Sequence, residues 1–265
     1  MKHALLVWLA QALARKPAAF AVLDTHAGAG RYDLDDGPAT RTGEAERGIL
    51  ALLAAPDPAL SDYLGLVRRL GLYPGSPALI RALLRPQDRM ACCELHPEDA
   101  AALRRLFARD RQVAIHQRDA WEAIGGLLPP PERRGLVLLD PPFERPDEFA
   151  ALTAGLVEAH ARFPAGILAA WYPIKHRAPV RGFHASLRES GMKDIVAAEL
   201  LLREPTDPAR LNGCGLAVVN PPWRFEAEAA PILDALARCF GGTADPGGGG
   251  DAGGAGGTIV RLADE

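Results

Sequence analysis

The sequence predicts an α/β domain built on a doubly wound, mostly parallel sheet, and three observations carry that prediction. Short apolar runs alternate with helical patterns along most of the chain. Four of the runs finish at or beside an acidic residue, Asp24, Glu94, Asp119 or Asp140. The composition, 48% hydrophobic and 24% charged over 265 residues, suits one large domain with a sizeable core.

The chain begins MKHALLVWLAQALARK, whose basic start, apolar stretch and Ala-Leu-Ala mimic a secretory signal. Leu5, Leu6, Trp8, Leu9 and Leu13 recur at helical spacing and predict an amphipathic first helix instead. Strands follow at 19–25, 89–95, 112–119, 135–140, 165–173, 194–204 and 214–220, with helical patterns at 96–110, 147–163 and 225–240 between them. That makes a seven-stranded sheet, and TIVRL (258–262) can add one last edge strand. The strands at 194–204 and 214–220 are joined by a connection too poor in helix formers for a crossover, which predicts an antiparallel edge. From the first strand to the second the chain runs far beyond a simple βαβ crossover. The intervening 46–71 reads as two short helices broken at Pro56-Asp57-Pro58, within a helical insertion spanning 41–75 of a single 1–265 domain. DPGGGGDAGGAGG (245–257) reads as a flexible loop.

Net charge is −3, so any nucleic-acid surface must be a local patch. The four cysteines form no C-x-x-C pair and no metal-ligand cluster, and adjacent Cys92-Cys93 reads as core thiols in a reducing, cytoplasmic compartment. No metal is expected, and no run is long enough to span a membrane.

The strand ends carry the chemistry. Asp24-Thr25-His26-Ala27-Gly28-Ala29-Gly30 leaves the first strand, and its glycines let backbone approach a ligand. Asp33 stands where a third dinucleotide-binding glycine would be, which argues against a nicotinamide or flavin. An acid followed by G-x-G resembles the cofactor loop of S-adenosylmethionine (SAM) methyltransferases. Glu94 is placed to accept from ribose hydroxyls, and Asp119-Ala120 to meet an adenine amino group. Each acid alone reads equally as a solvated strand end; together they outline an adenosine-shaped pocket.

Asp140-Pro141-Pro142-Phe143 closes the fourth strand. The Asp140 carboxylate and the Pro141 carbonyl can accept both hydrogens of an exocyclic amino group, drawing its lone pair into line for attack on a methyl donor. Phe143 can stack on a base extruded from its helix. Asn220-Pro221-Pro222-Trp223 repeats the pattern after a strand expected to run antiparallel. That second turn is expected on the far side of the sheet, stopping one strand and starting a helix at Phe225, with Trp223 packed beneath.

THAGAGRY, RTGE, YPGSP, ELHP, LDPPF, AWYP and NPPW, taken in order, resemble the motif set of the RlmJ family, bacterial 23S rRNA adenine-N(6) methyltransferases. The similarity spans essentially the whole chain. It implies a Rossmann-like class I SAM-dependent methyltransferase fold, SAM as cofactor and an adenine of 23S ribosomal RNA, naked or in an early assembly particle, as substrate. It also implies SAM contacts at His3, His26, Ser76, Glu94, Asp119 and Ala120, beside the Asp24 and Gly28 of the loop. Asp140, catalytic with Pro141 and Phe143, is counted among the cofactor contacts too. Tyr73-Pro74-Gly75-Ser76-Pro77 would then make Ser76 a helix cap whose N-terminus faces the cofactor carboxylate. The first helix becomes part of the fold under this resemblance. Family members carry a short segment rich in His, Asn and Gly before Lys2-His3, so the 265-residue chain is expected to bind SAM but methylate poorly; a monomer is expected separately. Local RNA contact is expected from Arg68-Arg69, Arg81, Arg85 and Lys175-His176-Arg177. The alternatives are adenine in DNA, a glutamine amide, and a catalytically weak SAM-binding ribosome-assembly factor.

Overall fold

In the computed structural model, residues 1–32, 46–71, 73–241 and 254–264 are described. Helix α1 (Lys2–Ala14) leads into β1 (Ala21–Asp24). A small ribbon, β2 (Arg31–Tyr32) with β3 (Tyr73–Pro74), brackets α2 (Ala51–Ala54) and α3 (Ser61–Leu70). Then come α4 (Ser76–Arg81), β4 (Arg89–Cys93), α5 (Pro97–Leu106), β5 (Val113–His116), α6 (Ala120–Leu127) and β6 (Gly135–Leu139). The chain finishes with α7 (Glu148–Arg162), β7 (Ile167–Ile174), α8 (Arg177–Glu189), β8 (Ile195–Leu201), β9 (Gly213–Val219), α9 (Phe225–Gly241) and β10 (Gly256–Ala263).

Eight strands, one more than the seven expected, form one sheet in the order β10-β8-β9-β7-β6-β1-β4-β5. The extra strand is the 258–262 run, which pairs antiparallel with β8. β5, β4, β1, β6 and β7 are mutually parallel, and β9 runs against both β7 and β8. The chain therefore steps outward from β1 to β4 and β5, then returns to β6 on the other side. Where strand order reverses, the crossovers part and leave a crevice at the carboxyl ends. Asp24, Glu94, Asp119 and Asp140 all lie at those ends.

Apolar runs rather than alternating ones make these strands because both faces are covered. Val22, Cys92 and Leu136 face a core shared with α1, α3, α4, α5 and α9, whereas Leu23, Cys93 and Val137 face one shared with α6, α7 and α8. Cys92 and Cys93 are buried, and burial raises both thiols, Cys93 to about 12, so they are inert core residues at neutral pH. Gly135 opens β6 because a Cβ there would sit 2.0 Å from the Ala21 carbonyl oxygen. Helix α1 is buried nearly all round, which is why it reads as apolar as a signal sequence. Among the described residues no helix is long and apolar enough to cross a membrane, and no cluster of His, Cys, Asp or Glu is placed to hold a metal.

Several expectations change. Arg85 is a structural clamp rather than an RNA contact: its guanidinium donates to the carbonyls of Ala14, Lys16 and Ala18 and to Asp88. Burial raises the Asp88 carboxyl, and Arg85 outweighs it, holding the acid below its ordinary range. Arg81 is bonded to Asp110. Trp223 is not packed beneath α9; it is 83% exposed. RTGE (41–44) and most of the glycine-rich 245–257 lie outside the described residues.

Candidate active site

The site begins at β1. Asp24 is fully buried, and its Oδ1 accepts the His26 backbone N–H at 3.4 Å while Oδ2 has no hydrogen-bond partner. Gly28 and Gly30 both have left-handed backbones (φ 60° and 78°), which turns the loop back over the sheet. The Gly28 N–H donates to Glu94 Oε2 at 2.8 Å, and the Gly30 carbonyl accepts from Gly75 N–H at 3.0 Å. Glu94 is further fixed by the His96 N–H on Oε1 at 2.7 Å. Its two oxygens are thus oriented by backbone, each with capacity left for a ligand hydroxyl.

Burial raises the Asp24 carboxyl to about 6; the Ser76 hydroxyl and Lys2 pull against that rise, and Asp140 adds to it. A raised acid costs stability when ionised. The penalty is absent below the unfolded value near 4, grows as pH rises through 6, and is about 3 kcal/mol at neutral pH. A buried carboxylate with an open oxygen, maintained at that cost, is suited to a cationic ligand.

Ser76 corrects an expectation. The N-cap of α4 is Gly75, Ser76 is already helical and makes no capping bond, and the helix has only six residues. Its hydroxyl is buried and pulls the Asp24 carboxyl down instead. Asp119, by contrast, is the N-cap of α6, accepting Trp121 and Glu122 N–H groups on Oδ1 at 2.8 and 3.2 Å. Ala120 is the buried first residue of that helix.

His26 joins the loop after β1 to the DPPF turn. Its Nδ1 lies 2.7 Å from Thr25 Oγ1 and accepts the Asp140 backbone N–H at 3.4 Å. Burial lowers His26 to about 4, and His3, on α1 with its ring centroid 6.1 Å from that of Tyr73, is held well below its ordinary value by burial and by the Lys2 charge. Both imidazoles are neutral at physiological pH.

Asp140 follows the last residue of β6. Its Oδ2 accepts from the Lys2 ammonium of α1, a contact across 138 residues of sequence. Burial raises the Asp140 carboxyl and Lys2 opposes the rise; burial works against the Lys2 charge, and Asp140 outweighs it. Lys2 is the residue that motif reading missed. Its one local signal is a lysine in the first turn of an apolar helix, where the macrodipole disfavours a cation. Pro141 is buried, and Phe143 has a left-handed backbone (φ 53°). A bulky residue there is strained, and such strain gathers at functional sites. Phe143 packs edge-on against Phe149 (centroids 5.0 Å) and Trp171 (5.9 Å), so AWYP supplies part of the same aromatic wall.

The second turn lies elsewhere. β9 is antiparallel to β7, and the Asn220 amide donates to the carbonyls of Pro164 and Gly166 at 2.7 and 2.8 Å, at the amino end of β7. Asp24, His26, Ser76, Glu94, Asp119 and Asp140 come together at the carboxyl ends, and Asn220 does not join them.

Comparison with known proteins agrees with this arrangement. The family described as "Ribosomal RNA large subunit methyltransferase D, RlmJ" matches residues 17–249. Ribosomal RNA large subunit methyltransferase J of Escherichia coli is 37% identical over 241 residues, covering 88% of this chain and 86% of that protein. Its namesake in Haemophilus influenzae is 34% identical over 247 residues, covering 90% and 88%. A crystal structure of a Legionella pneumophila protein superposes with a TM-score of 0.86 at 32% identity, over 98% of this chain and 95% of that one. The parallel sheet, the crevice of acids and the matched length lead to one conclusion: this chain belongs to the RlmJ family of ribosomal RNA large subunit methyltransferases.

Proposed function

We propose that the chain transfers a methyl group from SAM to the exocyclic N(6) of an adenine in 23S ribosomal RNA. The observation that carries this reading is the Asp140 turn, held by Lys2 and His26 beside the open oxygen of Asp24. When bound, SAM supplies an electrophilic methyl on a cationic sulfonium. Asp24 offers its unpartnered oxygen to a cationic group of that cofactor, with Ser76 alongside; Glu94 takes the ribose hydroxyls, and Asp119 and Ala120 border the adenine. His3, His26 and Gly28 complete the pocket wall.

Lys2 occupies Oδ2 of Asp140, which leaves Oδ1 and the Pro141 carbonyl to accept the two amino hydrogens of the target adenine. Two acceptors on those hydrogens localise the lone pair on nitrogen. Phe143 and Trp171 offer ring surface to the extruded base. After transfer the nitrogen sheds one proton, and Asp140, with its carboxyl raised by burial, is the base within reach. Arg31 and Arg69 flank a cleft of about 340 Å³ near the close of the insertion and are the cations we assign to flanking phosphates. The enzyme in this reading works as a cytoplasmic monomer without a metal.

Incubation with isotopically labelled SAM and deproteinised 23S rRNA, followed by mass spectrometry of the nucleosides, should yield labelled N(6)-methyladenosine. Label in DNA adenine or in a protein glutamine, with none in rRNA, would refute the substrate assignment. A second result follows from Asp24. SAM affinity should be flat above about pH 7 and weaken below about pH 6, approaching tenfold per unit, because protonation removes the charge facing the cofactor. Asp24→Asn should bind SAM weakly with little pH dependence from 5 to 7. Equal calorimetric dissociation constants for the wild type at pH 5 and 7.5 would contradict the role given to Asp24.

A further inference from the structure

We propose that the turn after β9 is a second RNA-contact platform, on which Trp223 stacks an unpaired base while the surrounding cations bind phosphate. The inference rests on rRNA being the substrate and goes beyond the active site. The turn is held firmly. The Asn220 side chain is bonded to two carbonyls at the start of β7, and its N–H donates to the Asp194 carbonyl at 2.9 Å. Asn220 and Arg224 both have left-handed backbones (φ 53° and 70°), an unfavourable pair of conformations within five residues. The outcome of this anchoring is an indole that is 83% exposed. A turn needed only to stop a strand has no reason to hold a tryptophan in water.

The surroundings select the partner. The Arg224 guanidinium lies over the Trp223 ring at 5.4 Å from its centroid. Arg15, Lys16 and Arg134 line, with Trp223, a cleft of about 320 Å³ whose floor includes Leu13 and Ile167. The acid facing them is Glu228, which accepts from Arg15 at 3.1 Å, from Trp8 at 2.8 Å, and pairs with Arg224 at 3.2 Å. Arg15, Lys16, Arg134 and Arg224 outnumber Glu228 and the Asp88 that acts on Arg134, so in a chain whose net charge is −3 they form a local positive patch around an open aromatic face, with the Arg134 guanidinium also bonded to the Leu13 and Ala18 carbonyls. Aromatic faces stack bases of any sequence, and flanking cations track the backbone, so this combination fits a single-stranded RNA segment. A rigid ring loses little entropy on binding.

The two sites are separated by α1. Its 13 residues place Lys2, on Asp140, about 20 Å from Arg15, at the platform. Only an RNA that continues well past the target nucleotide can touch both.

The test compares Trp223→Ala and Trp223→Phe with the wild type in filter binding and steady-state methyl transfer, using deproteinised 23S rRNA and a short oligonucleotide carrying only the target adenosine and its neighbours. Trp223→Ala should raise the rRNA dissociation constant and KM by about 5- to 150-fold, the span of one lost base stack. It should leave kcat and SAM affinity unchanged, have no effect on the short oligonucleotide, and be largely reversed by Phe. Unchanged rRNA binding by Trp223→Ala, or no rRNA binding by the wild type, would overturn the proposal. So would a loss seen with ribosomal-protein-containing particles alone, which would mark a protein-docking surface. Filter binding needs no turnover. Absent methylation with Trp223-dependent binding would therefore reject the catalytic reading and leave the platform standing.

Discussion

Asp140→Ala should lower kcat for rRNA methylation by about 10²- to 10³-fold or more, the usual cost of removing one positioned group that stabilises the transition state. SAM binding should persist, because the open oxygen of Asp24 and the backbone-fixed Glu94 remain. The substitution also strands the Lys2 ammonium, whose side chain is only 23% exposed, so some stability is lost. Asp140→Asn, which keeps the shape and one acceptor oxygen, separates these effects. A folded, SAM-binding Asp140→Asn protein with kcat reduced by orders of magnitude is the expected result. Turnover within a few-fold of wild type in either variant would remove Asp140 from the mechanism.

Lys2→Ala should cost about 10- to 100-fold in kcat, the range for a group that holds a catalytic residue in its working state. The more specific readout is pH. Lys2 favours the ionised form of Asp140, the form that the proposed mechanism needs to accept the amino hydrogens. Without that cation the carboxyl rises further, so the acidic limb of the rate profile should move to higher pH. Raising the pH should then restore part of the lost activity. A purely structural role for Lys2 would lower the rate at every pH and leave the limb in place, which is the outcome that would sink this assignment.

Much of this site was legible as sequence because strand-end residues are local features. Asp24, Glu94, Asp119 and Asp140 each follow an apolar run, and in a parallel sheet every such run delivers its last residue to the same side. Ser76 and His26 came with the family resemblance rather than with any pattern of their own. Ser76 was then misplaced by one residue as a cap, since Gly75 and Ser76 are both acceptable helix starters and neighbouring packing decides between them. Arg85 read as a surface cation, yet a guanidinium can satisfy three loop carbonyls at once, and nothing in its flanking residues announces those carbonyls.

What the sequence determined by itself was the alternation of strands and helices, the apolar character of the strands, the set of acids at the strand ends and the family. The alternation and the acids follow from periodicity and turn chemistry, which operate over a few residues, and the family follows from the resemblance of an ordered motif set along the chain. Tertiary structure alone decided that Lys2 meets Asp140 and that Trp223 stays exposed, whereas the eighth strand at 258–262 and the far-side place of the second turn were open expectations that the packed sheet settled. The physical reason is that pairing across 138 residues, and a strand's direction relative to its neighbour, are properties of the packed sheet rather than of any segment. The DPPF turn closes a strand parallel to its neighbours and reaches the crevice; the NPPW turn closes an antiparallel one and carries its tryptophan, unburied, to the far end.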